Sequence, residues 1–151
     1  MIASLLLAAA LTTAPAPSAA DDFKALCVAT KGDVAAVAAA AAAQGAWSDP
    51  TEQDGMTIWT HTEDGVARTL FAGEQSAPDG KRQTCAVTSQ PVQPDLTTGI
   101  TAVLGGVALP VQEGLYAYAP DEDAYRAGDV TFVQVTNEAD ATTLAAIRPI
   151  R

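Results

Sequence analysis

The sequence predicts an α+β fold, in which a single antiparallel sheet of five or six strands carries helices packed on one face. Two capped helical segments come first, and three strand-like segments with short turn signals between them follow. A further helical segment and up to three more strands then repeat the pattern. Short connections favour antiparallel neighbours. The predicted order is therefore helices, three strands, helix and three strands, although the two halves share no convincing sequence identity.

The chain begins with a segment typical of a secretory signal peptide. Residues 5–11 form an apolar core, far shorter than the roughly 20 residues of a transmembrane helix. Small residues at 18–20 precede a polar chain that opens at Asp21. No Lys or Arg lies near the start, so an apolar tail on a cytosolic protein is the alternative. We expect a signal peptide over residues 1–20, export to a periplasmic or extracellular location, and a single α+β domain over residues 21–151.

Two helices are predicted ahead of the first strand. The first begins at Asp22, and its apolar residues over 22–27 recur at i, i+3 and i+4. The second is alanine-rich, with Asp33 as its N-cap and Gly45 as its end signal. Low-complexity disorder is the alternative for this run. The two end signals and the high helix propensity of alanine favour a helix.

Six later segments have the composition and alternation of β-strands. They lie at residues 56–62, 66–72, 82–90, 115–119, 130–136 and 142–149. The last segment is also compatible with a helix up to residue 147, which would leave five strands. Between the third and fourth strands, apolar residues in 96–109 follow helical spacing and predict a helix.

The two cysteines, Cys27 and Cys85, decide several questions of chemistry. Cys27 lies beyond the predicted cleavage point, which excludes a lipid anchor, and no CxxCH haem motif occurs. A structural zinc site needs four ligands, whereas the two cysteines and the single His61 make three. We therefore expect no metal and no cofactor. An even cysteine count in an exported chain predicts a disulfide, worth about 4 kcal/mol for a loop of about sixty residues; two free thiols are the alternative.

The charge balance restricts the partners that the protein can bind. The chain has 18 Asp and Glu against 8 Lys and Arg, so it repels phosphate-rich ligands and anionic membrane surfaces. No segment after residue 20 is apolar for long enough to insert into a bilayer. No GxxxxGK[ST] or GxGxxG motif is present. We expect neither nucleic-acid binding nor membrane insertion of the mature chain.

Two places carry residues with catalytic or metal-binding chemistry. His61 lies close to Glu63 and is a candidate general base, but the chain has no GxSxG motif. An exposed histidine at a strand end is the simpler interpretation. The acidic stretch 121–123 with Asp129 has the oxygen ligands that calcium prefers, but an EF-hand starting at residue 121 would need Gly at 126 and Glu at 132. A solvated loop explains it equally well.

Alternation along the strands predicts one sheet face that points away from the helices. If Cys85 faces the helices, an aromatic and arginine-lined set lies on the open side: Trp59, His61, Arg68, Arg82, Tyr116 and Tyr118. A slip of one residue would exchange the two faces. Trp, Tyr and Arg are enriched at binding hot spots.

These features predict an exported, non-catalytic binding or accessory module that uses this face for a protein or small-molecule partner. A small hydrolase using His61 and a nearby hydroxyl is one alternative, and a structural envelope protein is another. The sequence does not indicate an oligomeric state.

Overall fold

The computed structural model describes residues 18–92, residue 102 and residues 104–150. Most of the predicted signal peptide and half of the predicted helix at 96–109 lie outside these residues. The described chain opens with three helical segments: α1 (Ala19–Phe23), a π-helical turn (Lys24–Val28) and α2 (Val34–Gln44).

A capping box begins α1. The Asp21 backbone N–H donates to the Ser18 hydroxyl at 3.1 Å, and the Ser18 backbone N–H donates to the Asp21 carboxylate at 3.0 Å. These bonds satisfy two backbone donors at the start of the helix. The Ser18 backbone N–H and the Ser18 hydroxyl both donate to the Asp21 carboxylate, and these bonds lower the pKa of the Asp21 carboxyl. Ala19 and Ala20 are buried in the core. The predicted boundary after residue 20 therefore falls inside α1, while export itself stays a prediction.

Removing the cap of α1 is expected to destabilise the domain modestly. Ser18→Ala loses the side-chain acceptor for Asp21, which costs about 1 kcal/mol of unfolding free energy. Urea titration followed by circular dichroism measures this loss, with Ser76→Ala at an exposed strand position as the matched control. Equal stability of the two variants would show that the cap contributes nothing.

The alanine-rich segment forms α2, as predicted. The Ala36 N–H donates to Asp33 Oδ1 at 2.9 Å, and Gly45 ends the helix in the left-handed region at φ 70°. Glycine adopts this conformation without the steric cost that a Cβ imposes. Val37 and Ala41 are buried against the rest of the protein. The alternative of low-complexity disorder is wrong for this segment.

Eight strands and one more short helix complete the described chain. They are β1 (Thr51–Gln53), β2 (Met56–Glu63), β3 (Val66–Ala77), β4 (Gly80–Gln90), β5 (Val107–Gln112), β6 (Leu115–Ala119), α3 (Glu122–Arg126), β7 (Thr131–Asn137) and β8 (Thr142–Pro149). All strands belong to one antiparallel sheet in the order β1-β2-β3-β4-β8-β7-β6-β5. The sheet thus consists of two four-strand meanders that meet where β4 pairs with β8.

The predicted fold class is wrong, because the protein is mostly one eight-stranded antiparallel sheet with a few short helices. Two strands were missed. β1 has three residues, too few for alternation to be visible. β5 begins within the segment predicted as the helix 96–109 and extends three residues past it, and a short apolar run of this kind fits a strand or a helix equally well. The helical alternative for residues 142–147 is also wrong, since β8 is a central strand.

The fully buried strand side chains lie mainly on one face of the sheet, and we call it the core face. The register aligns Leu70, Val87 and Leu144 across β3, β4 and β8, and the helical segments contact these same three strands. A disulfide joins Cys27 in the π-helical turn to Cys85 on β4, with Cα atoms 5.3 Å apart. The predicted crosslink between the first helix and the third predicted strand is confirmed.

Candidate functional site

The six residues predicted to form one binding face do not share a surface. The register places five of them on the core face and only Arg82 on the opposite face. Trp59 lies opposite Leu70 and is 3% exposed. Tyr118 is also 3% exposed, and its hydroxyl donates to the Leu104 carbonyl at 3.4 Å. Burial raises the pKa of the Tyr118 hydroxyl. Trp59 and Tyr118 are therefore core residues.

Two members of the predicted set, His61 and Arg68, come together on the core face. They are directly opposed in the pairing of β2 with β3. With α1 and the segment that follows α2 they enclose a cleft of about 260 Å³, which we call the Arg68 cleft. Its lining residues are Asp22, Gln44, Ala46, Trp47, His61, Glu63 and Arg68.

Arg68 forms a buried ion pair with Asp22. Its Nη1 donates to Asp22 Oδ2 at 2.7 Å, and the two residues are 9% and 2% exposed. Burial raises the pKa of the Asp22 carboxyl above its ordinary value, although the Arg68 guanidinium acts in the opposite direction. A buried pair of this kind fixes the position of both partners, because separating them would leave an uncompensated charge.

His61 is held by two acceptors. Its Nδ1 lies 2.8 Å from the Ala46 carbonyl oxygen, and its Nε2 lies 3.3 Å from Glu63 Oε2. A ring with hydrogen on both nitrogens donates to both. The Trp47 ring lies beside the imidazole, with centroids 5.8 Å apart. Among the described residues, neither hydrogen-bond partner of His61 is a hydroxyl.

The other face of the sheet, which we call the open face, is not covered by α1, α2 or the π-helical turn. Its half-exposed centre is apolar or hydroxylic. Its principal members are Met56, Ile58, Thr60, Thr69, Phe71, Arg82, Thr84, Ala86, Thr88, Leu115, Phe132, Gln134, Thr136, Thr143, Ala145 and Ile147.

One row of this face consists entirely of threonine. Thr60, Thr69, Thr88, Thr143 and Thr136 lie side by side on five neighbouring strands. The hydroxyl oxygens of Thr88 and Thr143 are 2.9 Å apart. The row therefore presents neutral donors and acceptors across the middle of the sheet.

The open face differs from the rest of the protein in charge. Arg82 is the only Asp, Glu, Lys or Arg at the open-face positions of the eight described strands. The core-face positions of the same strands include Glu63, Glu74, Lys81 and Arg148. The whole chain has 26 such residues if its 18 acidic and 8 basic residues are added. Apart from Arg82, the charged residues of the described chain thus lie in the turns, in the helices and on the core face.

A hollow of about 430 Å³ lies at one end of the open face, and we call it the Arg82 hollow. It is lined by Asp79, Arg82, Gln112, Leu115, Phe132, Gln134, Ile147 and Pro149. Arg82 Nη2 donates to both carboxylate oxygens of Asp79, at 2.9 and 3.0 Å, and these bonds lower the pKa of Asp79. The hollow combines an apolar floor with amide and guanidinium groups at its margin.

A larger hollow of about 580 Å³ shares Phe132 and Pro149 with the Arg82 hollow. The charged groups of this larger hollow already bind one another. Arg148 donates to Asp129 and to Thr131, and Lys31 also donates to Asp129. These hydrogen bonds lower the pKa of the Asp129 carboxyl. In the acidic stretch 121–123, Asp121 caps α3 and Glu122 pairs with Arg126. The acidic residues considered for calcium therefore have structural partners.

The chain matches no protein-family model, no curated protein and no solved structure. None of the described helices is both long enough and apolar enough to cross a membrane. The candidate sites are accordingly the open face with its Arg82 hollow and the Arg68 cleft. The uncharged open face was missed from the sequence, although the absence of charge at alternate positions of 56–62 and 67–71 was a visible signal.

Proposed function

We propose that the protein is an exported, non-catalytic binding module that docks a protein partner on the open face. The single observation that carries this proposal is the near absence of charge on that face in a strongly acidic chain. Depletion of charged residues is the compositional feature of interface cores. The disulfide supports export, because such bonds persist in oxidising compartments.

The ends of the sheet indicate the chemistry of the partner. Five exposed carboxylates lie in or next to the turns at one end of the sheet, which we call the acidic end: Glu63, Asp64, Glu113, Glu138 and Asp140. In the described part of the chain, only Glu63 among them forms an ion pair, with His61. At the opposite end, Glu74, Asp79, Glu122 and Asp129 are paired with lysine or arginine, whereas Asp54 and Asp121 form no ion pair with a described residue. Carboxylates without an ion pair are therefore more numerous at the acidic end.

A partner that fits both features has an uncharged, largely apolar centre and lysine or arginine residues at one side. The centre would pack on the open face, and the basic side would meet the acidic end. A second copy of this chain fits less well, because its acidic turns would add like charge at the same margins. The Arg82 hollow has room for an apolar side chain of the partner beside Phe132, which is how interface anchors are commonly held.

Position-specific crosslinking in cells that export the protein tests the proposal. A photoreactive phenylalanine analogue replaces Thr69 at the centre of the open face or, as the matched control, Ala39 on the exposed side of α2. We expect a discrete heterologous adduct from position 69 and none from position 39. The additional change Thr88→Glu, directly opposite position 69, is expected to abolish the adduct.

Three outcomes would contradict docking of such a partner on the open face. They are equal adducts from positions 69 and 39, an adduct that persists in Thr88→Glu, and an adduct with the mass of two copies of this chain.

A further inference from the structure

The Arg68 guanidinium has an incomplete set of hydrogen bonds. Nη1 donates to Asp22, whereas the buried Nε has no hydrogen-bond partner. No described residue accepts a hydrogen bond from Nη2. An unpaired donor in a buried position is unfavourable, and such groups in native proteins normally find a protein, water or ligand acceptor.

Nε and Nη2, the two nitrogens without a described acceptor, lie on the same edge of the Arg68 guanidinium. The guanidinium is planar, and its Nε–H and one terminal N–H point in parallel toward the same side, which matches the two oxygens of a carboxylate. Because Asp22 occupies Nη1, the edge formed by Nε and Nη2 is left for a second acceptor. Arg68 is one of the residues that line the cleft of about 260 Å³, and this volume can hold several water molecules of about 30 Å³ each or a small organic acid.

We propose that the Arg68 cleft binds the carboxylate group of a ligand through the Nε–Nη2 edge of Arg68. This site lies on the core face and does not depend on docking at the open face. The carboxylate belongs either to a small free acid or to the C-terminus of a peptide, and the chemistry at Arg68 is the same for both.

The charges around the cleft are compatible with an incoming anion. Its two carboxylates are already engaged, Asp22 by Arg68 and Glu63 by His61. A cationic ligand fits less well, because ammonium and guanidinium groups bring only donors and would leave Arg68 Nε unpaired.

The walls of the cleft also suit an acid with an aromatic or apolar body. The Trp47 and His61 rings line one side, and Trp47 Nε1 donates to Gln44 Oε1 at 2.7 Å. With its oxygen occupied, the Gln44 amide has N–H donors available for a carboxylate or carbonyl oxygen.

Nuclear magnetic resonance of the intact, disulfide-bonded protein tests the proposal. The probes are phenylacetate, a tripeptide with a free C-terminal carboxylate, and the same tripeptide amidated at its C-terminus. We expect a saturable shift of the Arg68 Nε–H signal with phenylacetate, with the free tripeptide or with both, and none with the amidated tripeptide. The responding probe identifies a free acid or a peptide terminus as the source.

Arg68→Lys is the matched variant, since it keeps the charge opposite Asp22 but lacks the planar edge. Its affinity for the responding probe is expected to fall roughly tenfold or more, while Arg126→Lys at an exposed position of α3 leaves it unchanged. If none of the probes gives a saturable shift, water alone satisfies the remaining hydrogen-bond donors of Arg68, and the proposal is wrong. Equal binding by the amidated tripeptide, or unchanged affinity in folded Arg68→Lys, would also overturn the proposal. If Arg68→Lys does not fold, the test is the wild-type Nε–H signal alone. A saturable shift with a carboxylate probe and none with the amidated tripeptide would support the proposal.

Discussion

Replacing Trp59 with alanine is expected to lower the free energy of unfolding by about 3–5 kcal/mol. The indole is 3% exposed and lies opposite Leu70 on the core face, so its removal leaves a cavity in the main apolar cluster. Most single domains are stable by only about 5–15 kcal/mol, and the variant should therefore be close to unfolding at physiological temperature. Urea denaturation followed by far-ultraviolet circular dichroism measures the loss.

The protein's other tryptophan provides the control. Trp47 is half-exposed beside the Arg68 cleft, and Trp47→Ala removes less buried apolar area, so it should cost less than half as much. If Trp59→Ala keeps wild-type stability, Trp59 is not a core residue and the placement of β2 is wrong. That result would restore the initial expectation of an exposed aromatic residue at position 59.

Removing the disulfide is expected to cost up to about 4 kcal/mol of unfolding free energy. The bond spans a sequence separation of 58 residues, and the chain-entropy model gives about this value for such a loop. Alanine is the appropriate replacement, because Cys27 and Cys85 are 1% and 0% exposed and a hydroxyl at either position would be buried. The double variant Cys27→Ala and Cys85→Ala should shift the urea midpoint strongly downward.

Reduction of the wild-type protein provides an independent check on this value. Dithiothreitol should lower the urea midpoint of the wild type toward that of the double variant and should leave the variant unchanged. Equal stability of the oxidised and reduced wild type would show that the crosslink does not hold the π-helical turn on β4.

The segments that were predicted correctly carry local chemical signals at both ends. Asp33 and Gly45 bound α2 through a side-chain acceptor and a left-handed backbone, and each acts without tertiary contacts. β5 has no comparable signal. Its first residue, Val107, continues the helical spacing of the preceding segment, and pairing with the adjacent strand β6 in a local hairpin identifies it as a strand. The strand number was therefore underestimated because β1 is too short to show alternation and because a helical spacing was extended past Gly105 and Gly106 into a short hairpin strand.

The faces of β2 were exchanged for a similar reason. Ile58 and Trp59 are adjacent and both apolar, so alternation alone does not show which of them is buried. The choice depends on the register with β3, which places Trp59 beside Leu70 and His61 beside Arg68. Arg68 in turn faces the core because Asp22 on α1 pairs with it, a contact over 46 residues that no local pattern reveals. By contrast, the scarcity of charged residues at every second strand position is visible in the sequence once the register has separated the two faces.

The most direct test of the open face as a docking surface is an equilibrium affinity. The partner recovered by crosslinking at position 69 is titrated calorimetrically into the wild type, Thr88→Glu and the matched control Ala39→Glu. A carboxylate at the centre of an apolar interface would be buried without a counter-charge, at a cost of about 3 kcal/mol or more. We expect roughly 100-fold weaker binding for Thr88→Glu and wild-type affinity for Ala39→Glu. Wild-type affinity for a folded Thr88→Glu protein would contradict the account.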